Sequence, residues 1–382
     1  MTGSFPVDKL AHRETPYYYY DTQVLRDTLT EVNKQSAVFE HAAVHYAVKA
    51  CATPEIMRII AQAGLGADCV SGGEIQAAIE AGIAPDKIVF AGVAKADWEI
   101  RYALQQGISC FNVESQAEVE VIDRLAAQLG RVAHVCLRIN PNIDAHTHAK
   151  ITTGMRENKF GIQMCDLEEA VRDVEQRSNI AFMGLHFHIG SQITDMQVFA
   201  VLSGRINELV ARAEQIAPVR HINVGGGLGI LYEHPNHFPI PDFRAYFDTY
   251  HRCLKVREDQ TVHFELGRSI VAQCGNLMTR VLYVKQGIEK QFAIVDAGMT
   301  DLIRPALYGA FHRIENISNP DAEEQTYDIV GPICESSDVF VEGYRIARVQ
   351  RGDLLAIRSA GAYGEVMASR YNLRRLPGHW IE

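Results

Sequence analysis

The residues best suited to chemistry are a lysine, a glutamate and a run of glycines, each at the end of a short apolar segment. Lys49 ends the stretch VHYAVKA, Glu265 lies in VHFELGR, and GGGLG at 225–229 follows HINV. An amine in an apolar stretch is costly to desolvate unless its pKa falls or it bonds covalently to a carbonyl carbon. Glycines let backbone N–H groups approach an anion, although a tight strand-to-helix turn explains GGGLG equally well.

These three features together meet the needs of pyridoxal 5'-phosphate. That cofactor requires an amine for its aldehyde, amides for its phosphate and an acid that keeps its ring nitrogen protonated. For Lys49 the alternative is a surface lysine that merely caps a strand. The residue types therefore predict a pyridoxal-phosphate site without showing the ring itself.

A pair of histidines supports a rival hypothesis. His186 and His188 are two apart on a predicted strand, so they would face the same side and could bind a metal. Metal-dependent barrel hydrolases usually carry such a pair on the first strand and an aspartate on the eighth, where this chain has ELGR. A second pair, His146 and His148, lies in a polar loop, where solvation is the simpler expectation. We expect no metal site.

Eight β-rich segments lie between Ala43 and Arg268, separated by stretches with helical spacing. They are HYAVKA (45–50), GADCVS (66–71), IVFAGV (88–93), CFNVE (110–114), VCLRIN (135–140), FMGLHFHIG (182–190), HINVGGG (221–227) and VHFELGR (262–268). This alternation predicts parallel strands, and eight units match a (β/α)8 barrel of about 250 residues better than an open doubly wound sheet. Strand eight of a barrel lies between strands seven and one, so the lysine, the glycines and the glutamate would share one arc of the rim.

The N-terminal YYYYD at 17–21 and the tail after residue 268 fall outside this pattern. The tail contains short β-branched or aromatic runs between turn residues, including KQFAIVDAG, RIARVQRGDLLAIRSAG and ASRYN, which predicts an antiparallel β domain. We expect a barrel domain at 21–268 and a β domain formed by 1–20 and 269–382. The long segments 141–181 and 228–261 are expected to carry extra loops over the barrel mouth.

Composition narrows the class of protein. The chain has 382 residues, 47% of them hydrophobic, and a net charge of −10, which argues against nucleic acid or an anionic membrane as a partner. The start, MTGSFPVDKL, has no apolar core, and no apolar run reaches the roughly 18 residues of a membrane span. Eight cysteines without a C-x-x-C suit a reducing cytoplasm.

The chain also resembles the pyridoxal-phosphate-dependent decarboxylases of the alanine-racemase-like barrel fold. The resemblance runs from about Tyr17 to Asn372 through HYAVKA, GLGADCVSGGE, ENKFGI, HFHIGSQI, NVGGGLGI, ELGR, DAGMTDLIRPALYGA, GPICESSD and GAYGEVMASRYN. It implies decarboxylation of meso-2,6-diaminopimelate to L-lysine and CO2, the last step of bacterial lysine biosynthesis. One departure is Leu266, where the family usually has proline.

The resemblance implies a role for each matching cofactor residue. Lys49 would be the Schiff-base lysine, His188 would stack on the ring face, and Glu265 would pair with the ring nitrogen. Asp68 would lie near the Schiff base and Arg138 near the ring hydroxyl. The phosphate would be bound by Ser191, Gly225, Gly226, Gly227 and Tyr363.

Substrate roles are implied in the same way. Arg268, Arg304 and Tyr308 would bind the distal carboxylate, Glu335 the distal amine, and Cys334 would approach the reacting centre. A second carboxylate calls for a planar, permanently charged donor, although a structural salt bridge is an equal alternative for each arginine. For Cys334, a small buried hydrophobic role is the alternative. Tyr363 is also expected to contact substrate.

The resemblance further implies a homodimer with shared sites, because Cys334 and Glu335 would come from the neighbouring subunit. Two other functions stay open. A related barrel decarboxylase acting on D-lysine, D-ornithine or carboxynorspermidine would keep the cofactor residues and differ at the distal pocket. A non-catalytic pyridoxal-phosphate carrier of the same barrel fold would lack the β domain.

Overall fold

The structure is a computed structural model and describes residues 5–143 and 159–382. Its strands are β1 Tyr17–Tyr20, β2 Ala42–Ala47, β3 Gly66–Cys69, β4 Ile88–Phe90, β5 Cys110–Val113, β6 Ala133–Asn140, β7 Ile162–Gln163, β8 Ile180–His186, β9 His221–Asn223, β10 Thr261–Leu266, β11 Gly275–Gln286, β12 Gln291–Val295, β13 Ile314–Asn316, β14 Glu324–Val330, β15 Val339–Ala347, β16 Leu354–Ile357 and β17 Gly378–Ile381.

Helices precede or follow most of these strands. The α-helices are α1 Val7–Leu10, α2 Thr22–Ser36, α3 Pro54–Gln62, α4 Gly72–Glu80, α5 Asp97–Gln106, α6 Gln116–Leu129, α7 Leu167–Glu175, α8 Met196–Ala213, α9 Phe243–Cys253, α10 Arg268–Val271 and α11 Arg304–Tyr308. Short 3-10 turns occur at Val48–Ala50, Pro85–Lys87, Met164–Asp166, Glu365–Met367 and Tyr371–Leu373.

Eight parallel strands form a closed barrel. Their order is β2, β3, β4, β5, β6, β8, β9 and β10, and β10 pairs back onto β2, with Glu265 opposite His45. The two-residue β7 extends the sheet beside the end of β6. The eight predicted strands and the predicted (β/α)8 barrel are therefore confirmed.

Helix caps in the barrel follow from local sequence. Ser71 accepts a hydrogen bond from Glu74 N before α4, and Ser115 does the same for Glu118 N before α6, so each side chain satisfies an amide that the helix leaves unpaired. Gly130 caps the C-terminal end of α6, and its left-handed backbone (φ 61°) suits glycine. Helices thus start directly beyond the strand ends, and the carboxyl ends of the parallel strands meet at one rim.

The second sheet is built mainly from the tail. Its order is β13, β16, β11, β12, β14 and β15, and β1 lies between β11 and β17. The pairs are antiparallel except β1 with β17 and β12 with β14, which are parallel. The prediction of an antiparallel β domain is confirmed in its main features.

The prediction of a β-strand at ASRYN is wrong. Residues 371–373 form a 3-10 turn, and Asn372 and Leu373 both have positive φ, at 54° and 55°. Asn372 tolerates this conformation better than most residues, and its Oδ1 accepts a hydrogen bond from Cys334 N at 2.9 Å. A turn held by this side chain replaces the extended strand.

The chain separates into two compact units. One comprises Leu29–Gly229 and Asp242–Gly267 and contains the barrel; the other comprises Met1–Thr28, Ile230–Pro241 and Arg268–Glu382. The domain boundaries expected from sequence, at 20/21 and 268/269, stay a prediction. No helix within the described residues has the length and apolar character needed to cross a membrane.

Candidate active site

Lys49 and Asp68 form an ion pair in the barrel unit. Lys49 lies in the turn directly after β2, and its Nζ donates to Oδ2 of Asp68, on β3, at 2.8 Å. The Asp68 side chain is fully buried, whereas that of Lys49 is 37% exposed. Asp68 Oδ1 is buried without a hydrogen-bond partner among the described residues. Burial and the charge of Glu265 raise the pKa of Asp68, and Lys49 opposes that rise.

Glu265 is a buried carboxylate surrounded by hydrogen-bond donors. Its Oε1 accepts from Asn112 Nδ2 at 2.9 Å and from Asn223 Nδ2 at 2.8 Å, and its Oε2 lies 2.9 Å from His186 Nε2. Burial alone would raise the pKa of Glu265, but His186, its hydrogen bond and Lys49 hold it below the usual value. The carboxylate is therefore ionised, and it is suited to hold a proton on a ring nitrogen.

The two histidines of the H-x-H pair make different contacts. Nε2 of His186 faces Glu265, while Nδ1 of His188 accepts a long hydrogen bond from Gly226 N at 3.4 Å. Burial, Arg138 and Lys49 keep the pKa of His188 well below its ordinary value, so its ring is neutral. The described residues contain no cluster of three metal-ligating side chains. His146 and His148 lie outside the described residues.

Arg138, on β6, is held by a second buried ion pair. Its Nη1 donates to Glu114 Oε1 at 2.6 Å, and Glu114 Oε2 accepts from Gly161 N at 2.8 Å. The guanidinium carbon also lies 4.6 Å from the ring centre of Phe160. These contacts fix the guanidinium in place.

The glycines after β9 are required by close packing of the backbone. A Cβ on Gly226 would lie 1.9 Å from Glu265 O, and one on Gly225 would lie 2.2 Å from Phe187 O. Gly225 and Gly227 also have positive φ, at 72° and 106°. The strand-packing explanation is therefore sufficient for the glycines, and their phosphate role stays a prediction. Ser191 lies in the partly exposed segment after β8.

The second unit contains a buried pair of arginines. Arg268 starts α10 and Arg304 starts α11, and both are almost fully buried. Their Nη1 atoms donate to the hydroxyl of Tyr232 at 2.7 Å and 2.9 Å. Arg304 Nη1 also lies 2.9 Å from His312 Nε2. Two guanidiniums on one oxygen form a strongly cationic centre suited to a carboxylate.

The remaining predicted residues also lie in the second unit. The guanidinium carbon of Arg268 is 5.0 Å from the ring centre of Tyr363, which has a positive φ of 57°. Tyr308 ends α11 and is half-buried. Cys334 and Glu335 are exposed; Glu335 Oε1 accepts from Tyr371 OH at 2.6 Å. Exposure excludes the buried hydrophobic role considered for Cys334.

Sequence reasoning missed the residues that contact the predicted ones. They are Asn112, Glu114, His186 as a partner of Glu265, Asn223, Tyr232 and His312. A polar residue inside an otherwise apolar strand, as in CFNVE and HINV, is the signal that could have identified the asparagines. The partners of the arginines carry no comparable local signal.

A barrel with a rim lysine, a buried ionised carboxylate and a neutral imidazole defines a class of cofactor enzyme. Residues 25–272 match the family described as pyridoxal-dependent decarboxylase, pyridoxal binding domain. The chain belongs to this family of pyridoxal-dependent decarboxylases.

Individual relatives indicate which members of the family this chain is similar to. A diaminopimelate decarboxylase of Bacteroides thetaiotaomicron is 59% identical over 378 residues, covering 99% of this chain and 98% of the relative. One from Neisseria meningitidis serogroup B is 44% identical over 361 residues, covering 94% and 86%. The crystal structure of diaminopimelate decarboxylase from Helicobacter pylori complexed with L-lysine is 38% identical, has a TM-score of 0.91, and is matched over 98% of this chain and 93% of its own. Within its family the chain groups with the diaminopimelate decarboxylases.

The family cofactor is pyridoxal phosphate, and the barrel residues fit it. The ionised Glu265 matches a protonated ring nitrogen, Lys49 supplies the amine, and the neutral ring of His188 can pack on an aromatic face. Asp68 Oδ1 is a buried acceptor that lacks a hydrogen-bond partner in the described ranges, so it can accept a hydrogen bond from a cationic or N–H group of the cofactor.

Proposed function

We propose that this chain removes CO2 from the D-configured centre of meso-2,6-diaminopimelate and releases L-lysine, using pyridoxal phosphate. The observation that carries the substrate choice is the pair of buried guanidiniums, Arg268 and Arg304, on the hydroxyl of Tyr232. A substrate with a second carboxylate compensates two buried positive charges, which a simple monocarboxylic amino acid cannot do after losing its only carboxylate. The relatives named above support the same assignment.

The chemistry of the reaction depends on both the cofactor and the chain. When bound, pyridoxal phosphate supplies a carbonyl for amines and a ring that accepts the electrons of the broken carbon–carbon bond. Lys49 would hold the cofactor through Nζ, and Asp68 Oδ2, at 2.8 Å, can take or return a proton there. Glu265 would keep the ring nitrogen protonated, because its own charge is stabilised by Asn112, Asn223 and His186.

Other cofactor contacts form part of the proposal. His188 would cover one face of the ring, and its low pKa keeps it neutral, so it would not compete with the protonated ring nitrogen for the charge of Glu265. Arg138 would lie beside the ring hydroxyl with its orientation set by Glu114. The phosphate would be bound by Ser191, the amides of Gly225, Gly226 and Gly227, and Tyr363.

On the substrate, Arg268, Arg304 and Tyr308 would bind the distal carboxylate, and Glu335 the distal amine. Cys334 would act near the reacting carbon, and Tyr363 would contribute to substrate binding. The burial of both arginines supports this role, because a guanidinium out of water gains more from a carboxylate than one in water.

We further propose a homodimer in which Cys334 and Glu335 enter the neighbouring subunit's site. Both are exposed, and Leu373, in the turn that contacts Cys334 through Asn372, is 96% exposed. Exposed apolar side chains beside exposed polar ones are typical of an interface. A cytoplasmic location is proposed as well, since all eight cysteines are free thiols.

The function is tested by CO2 release from a panel of amino acids. The purified protein, loaded with pyridoxal phosphate, is supplied with meso-diaminopimelate, D-lysine, D-ornithine, L-ornithine or carboxynorspermidine. We expect release from meso-diaminopimelate alone, with L-lysine appearing in equal amount. Release only from an amino acid that lacks a distal carboxylate would favour the alternative decarboxylases and reject the roles of Arg268, Arg304 and Tyr308.

A further inference from the structure

Tyr232 connects the two buried arginines of the second unit. Its hydroxyl oxygen accepts from Arg268 Nη1 at 2.7 Å and from Arg304 Nη1 at 2.9 Å, and its ring lies 5.1 Å from the guanidinium carbon of Arg304. Tyr232 belongs to Ile230–Pro241, the segment that leaves the barrel unit after β9 and groups with the second unit. One phenol oxygen therefore holds two guanidiniums from different helices.

His312 holds Arg304 from another direction. Its Nδ1 contacts Arg358 O at 2.9 Å; since a carbonyl can only accept, Nδ1 carries the proton and Nε2 is the acceptor. Arg304 Nη1 lies 2.9 Å from that Nε2, so its two hydrogens are directed to Tyr232 and His312. Burial and the charge of Arg304 lower the pKa of His312 to about 3, which keeps the ring neutral.

Two acceptors on a single nitrogen fix the plane of a guanidinium. The Nη2 and Nε hydrogens of Arg304 then point in defined directions, and neither nitrogen has another hydrogen-bond partner within the described residues. A guanidinium that is already oriented loses less conformational entropy when it binds a carboxylate. Like charges on Arg268 and Arg304 would otherwise push the two side chains apart.

The charge of the cluster agrees with this arrangement. Burial would raise the pKa of Tyr232, but Arg268 and Arg304 lower it below the ordinary value. A phenol oxygen with increased negative character is a stronger acceptor for both arginines. The side chain can therefore stabilise the paired cations when no carboxylate is bound.

We propose that Tyr232 and His312 are positioning residues that hold Arg268 and Arg304 ready for the distal carboxylate of the substrate. The inference rests on the proposed function, in which the arginines bind that carboxylate. L-Lysine keeps this carboxylate after the reaction, whereas cadaverine is the same molecule without it. A comparison of the two ligands isolates the contribution of the carboxylate.

The experiment measures KM and kcat for meso-diaminopimelate, and inhibition constants for L-lysine and cadaverine, in the loaded enzyme. Tyr232→Phe removes the acceptor and keeps the ring. We expect it to raise KM and the inhibition constant of L-lysine roughly tenfold, since a charge-assisted hydrogen bond contributes on that order. The inhibition constant of cadaverine and the visible absorbance of the bound cofactor should stay within about twofold.

A matched pair of variants at His312 tests the same idea without touching the tyrosine. His312→Gln can keep an acceptor near the position of Nε2 and should retain the affinity for L-lysine. His312→Leu cannot, and should weaken L-lysine but not cadaverine. This pair keeps the proposal falsifiable even where Tyr232→Phe fails to fold.

Arg304→Met distinguishes the positioning role of Tyr232 and His312 from the role of Arg304 in binding the substrate. Loss of L-lysine affinity in Arg304→Met but not in Tyr232→Phe or His312→Leu would overturn the positioning role and leave the substrate role intact. Unchanged selectivity between L-lysine and cadaverine in Arg304→Met would overturn both. Equal weakening of both ligands in Tyr232→Phe and His312→Leu would indicate a merely structural role and would also overturn the inference.

Discussion

The amine of Lys49 lies 2.8 Å from Oδ2 of Asp68, and that carboxylate is fully buried while the lysine is partly exposed. The pair fixes the lysine rotamer at the rim and provides a negative charge beside its nitrogen. Because a lone buried carboxylate is costly, removal of the lysine charge would drive Asp68 towards its neutral form. Lys49 is thereby both the expected attachment point and the group that opposes the rise in the pKa of Asp68.

Lys49→Ala should abolish covalent attachment of the cofactor. We expect no visible absorbance characteristic of a lysine-bound cofactor after incubation with pyridoxal phosphate and dialysis, and no decarboxylation. Lys87→Ala, at an exposed lysine before β4, is the matched control and should retain both. A borohydride-reducible chromophore that survives in Lys49→Ala would reject the assignment.

Glu265→Gln should lower decarboxylation by at least about 100-fold, because a neutral amide cannot hold the proton of a ring nitrogen as a carboxylate does. The amide would also place a donor against Asn112, Asn223 or His186, which now donate to the carboxylate. The visible absorbance of the lysine-bound cofactor should persist in Glu265→Gln. The variant would therefore lose decarboxylation while it still binds the cofactor. Glu258→Gln, at an exposed glutamate, serves as control; undiminished turnover in Glu265→Gln would contradict the role.

The proposed homodimer with shared sites predicts complementation between subunits. Lys49→Ala and Cys334→Ala should each be inactive or strongly impaired, but mixed dimers would contain one site with both native residues. After denaturation and joint refolding of equal amounts, we expect about a quarter of wild-type activity from random pairing of a twofold dimer. Lys49→Ala mixed with Glu265→Gln is the control and should give less activity, because both changes lie in the barrel and each site of the mixed dimer then carries one of them. Sedimentation and refolding of each variant alone complete the controls. Absence of recovery in a mixture that sediments as a dimer would argue against shared sites.

Asp301 predicts a dependence of stability on pH. Burial raises its pKa to about 6, whereas Gly298 N and Arg374 act in the opposite direction. The pKa of Asp301 is higher in the folded than in the unfolded state, so folding favours the protonated carboxyl. The contribution of the protonated carboxyl to stability is fully present below about pH 4 and is lost as the pH rises through about 6. Asp301→Asn should therefore be more stable than wild type at pH 8, by up to about 2 kcal/mol, and equal to it near pH 4. Urea unfolding between about pH 4 and pH 8 measures the free energy of unfolding of both proteins. A difference in stability that does not change with pH would contradict the prediction.

Gly226→Ala should destabilise the barrel by several kcal/mol, because its Cβ would lie 1.9 Å from Glu265 O. Gly73→Ala, in α4, is the control: its Cβ meets nothing closer than 3.8 Å, and alanine favours a helix by about 1 kcal/mol. Thermal unfolding of both variants without cofactor compares them. An unchanged melting temperature in Gly226→Ala would show that strand packing does not require this glycine.

Local sequence determined much of the barrel. Alternating strands and helices, glycine and serine caps, and the position of Lys49 and Glu265 at strand ends depend on neighbouring residues, so they can be recognised along the chain. The resemblance to a decarboxylase family rests on motifs of the same local kind. The turn at 371–373 shows the limit, because one asparagine with a left-handed backbone outweighed the β propensity of its neighbours.

Only the tertiary structure decided which distant groups meet. Asn112, Asn223 and His186 come from three other strands to share the carboxylate of Glu265, and their spacing along the chain does not encode that convergence. Tyr232 likewise reaches Arg268 and Arg304 only because Ile230–Pro241 groups with the second unit. The sequence by itself therefore determined the elements and the residue types, whereas burial and long-range contacts decided the partners and charge states, because desolvation acts only once the chain has folded.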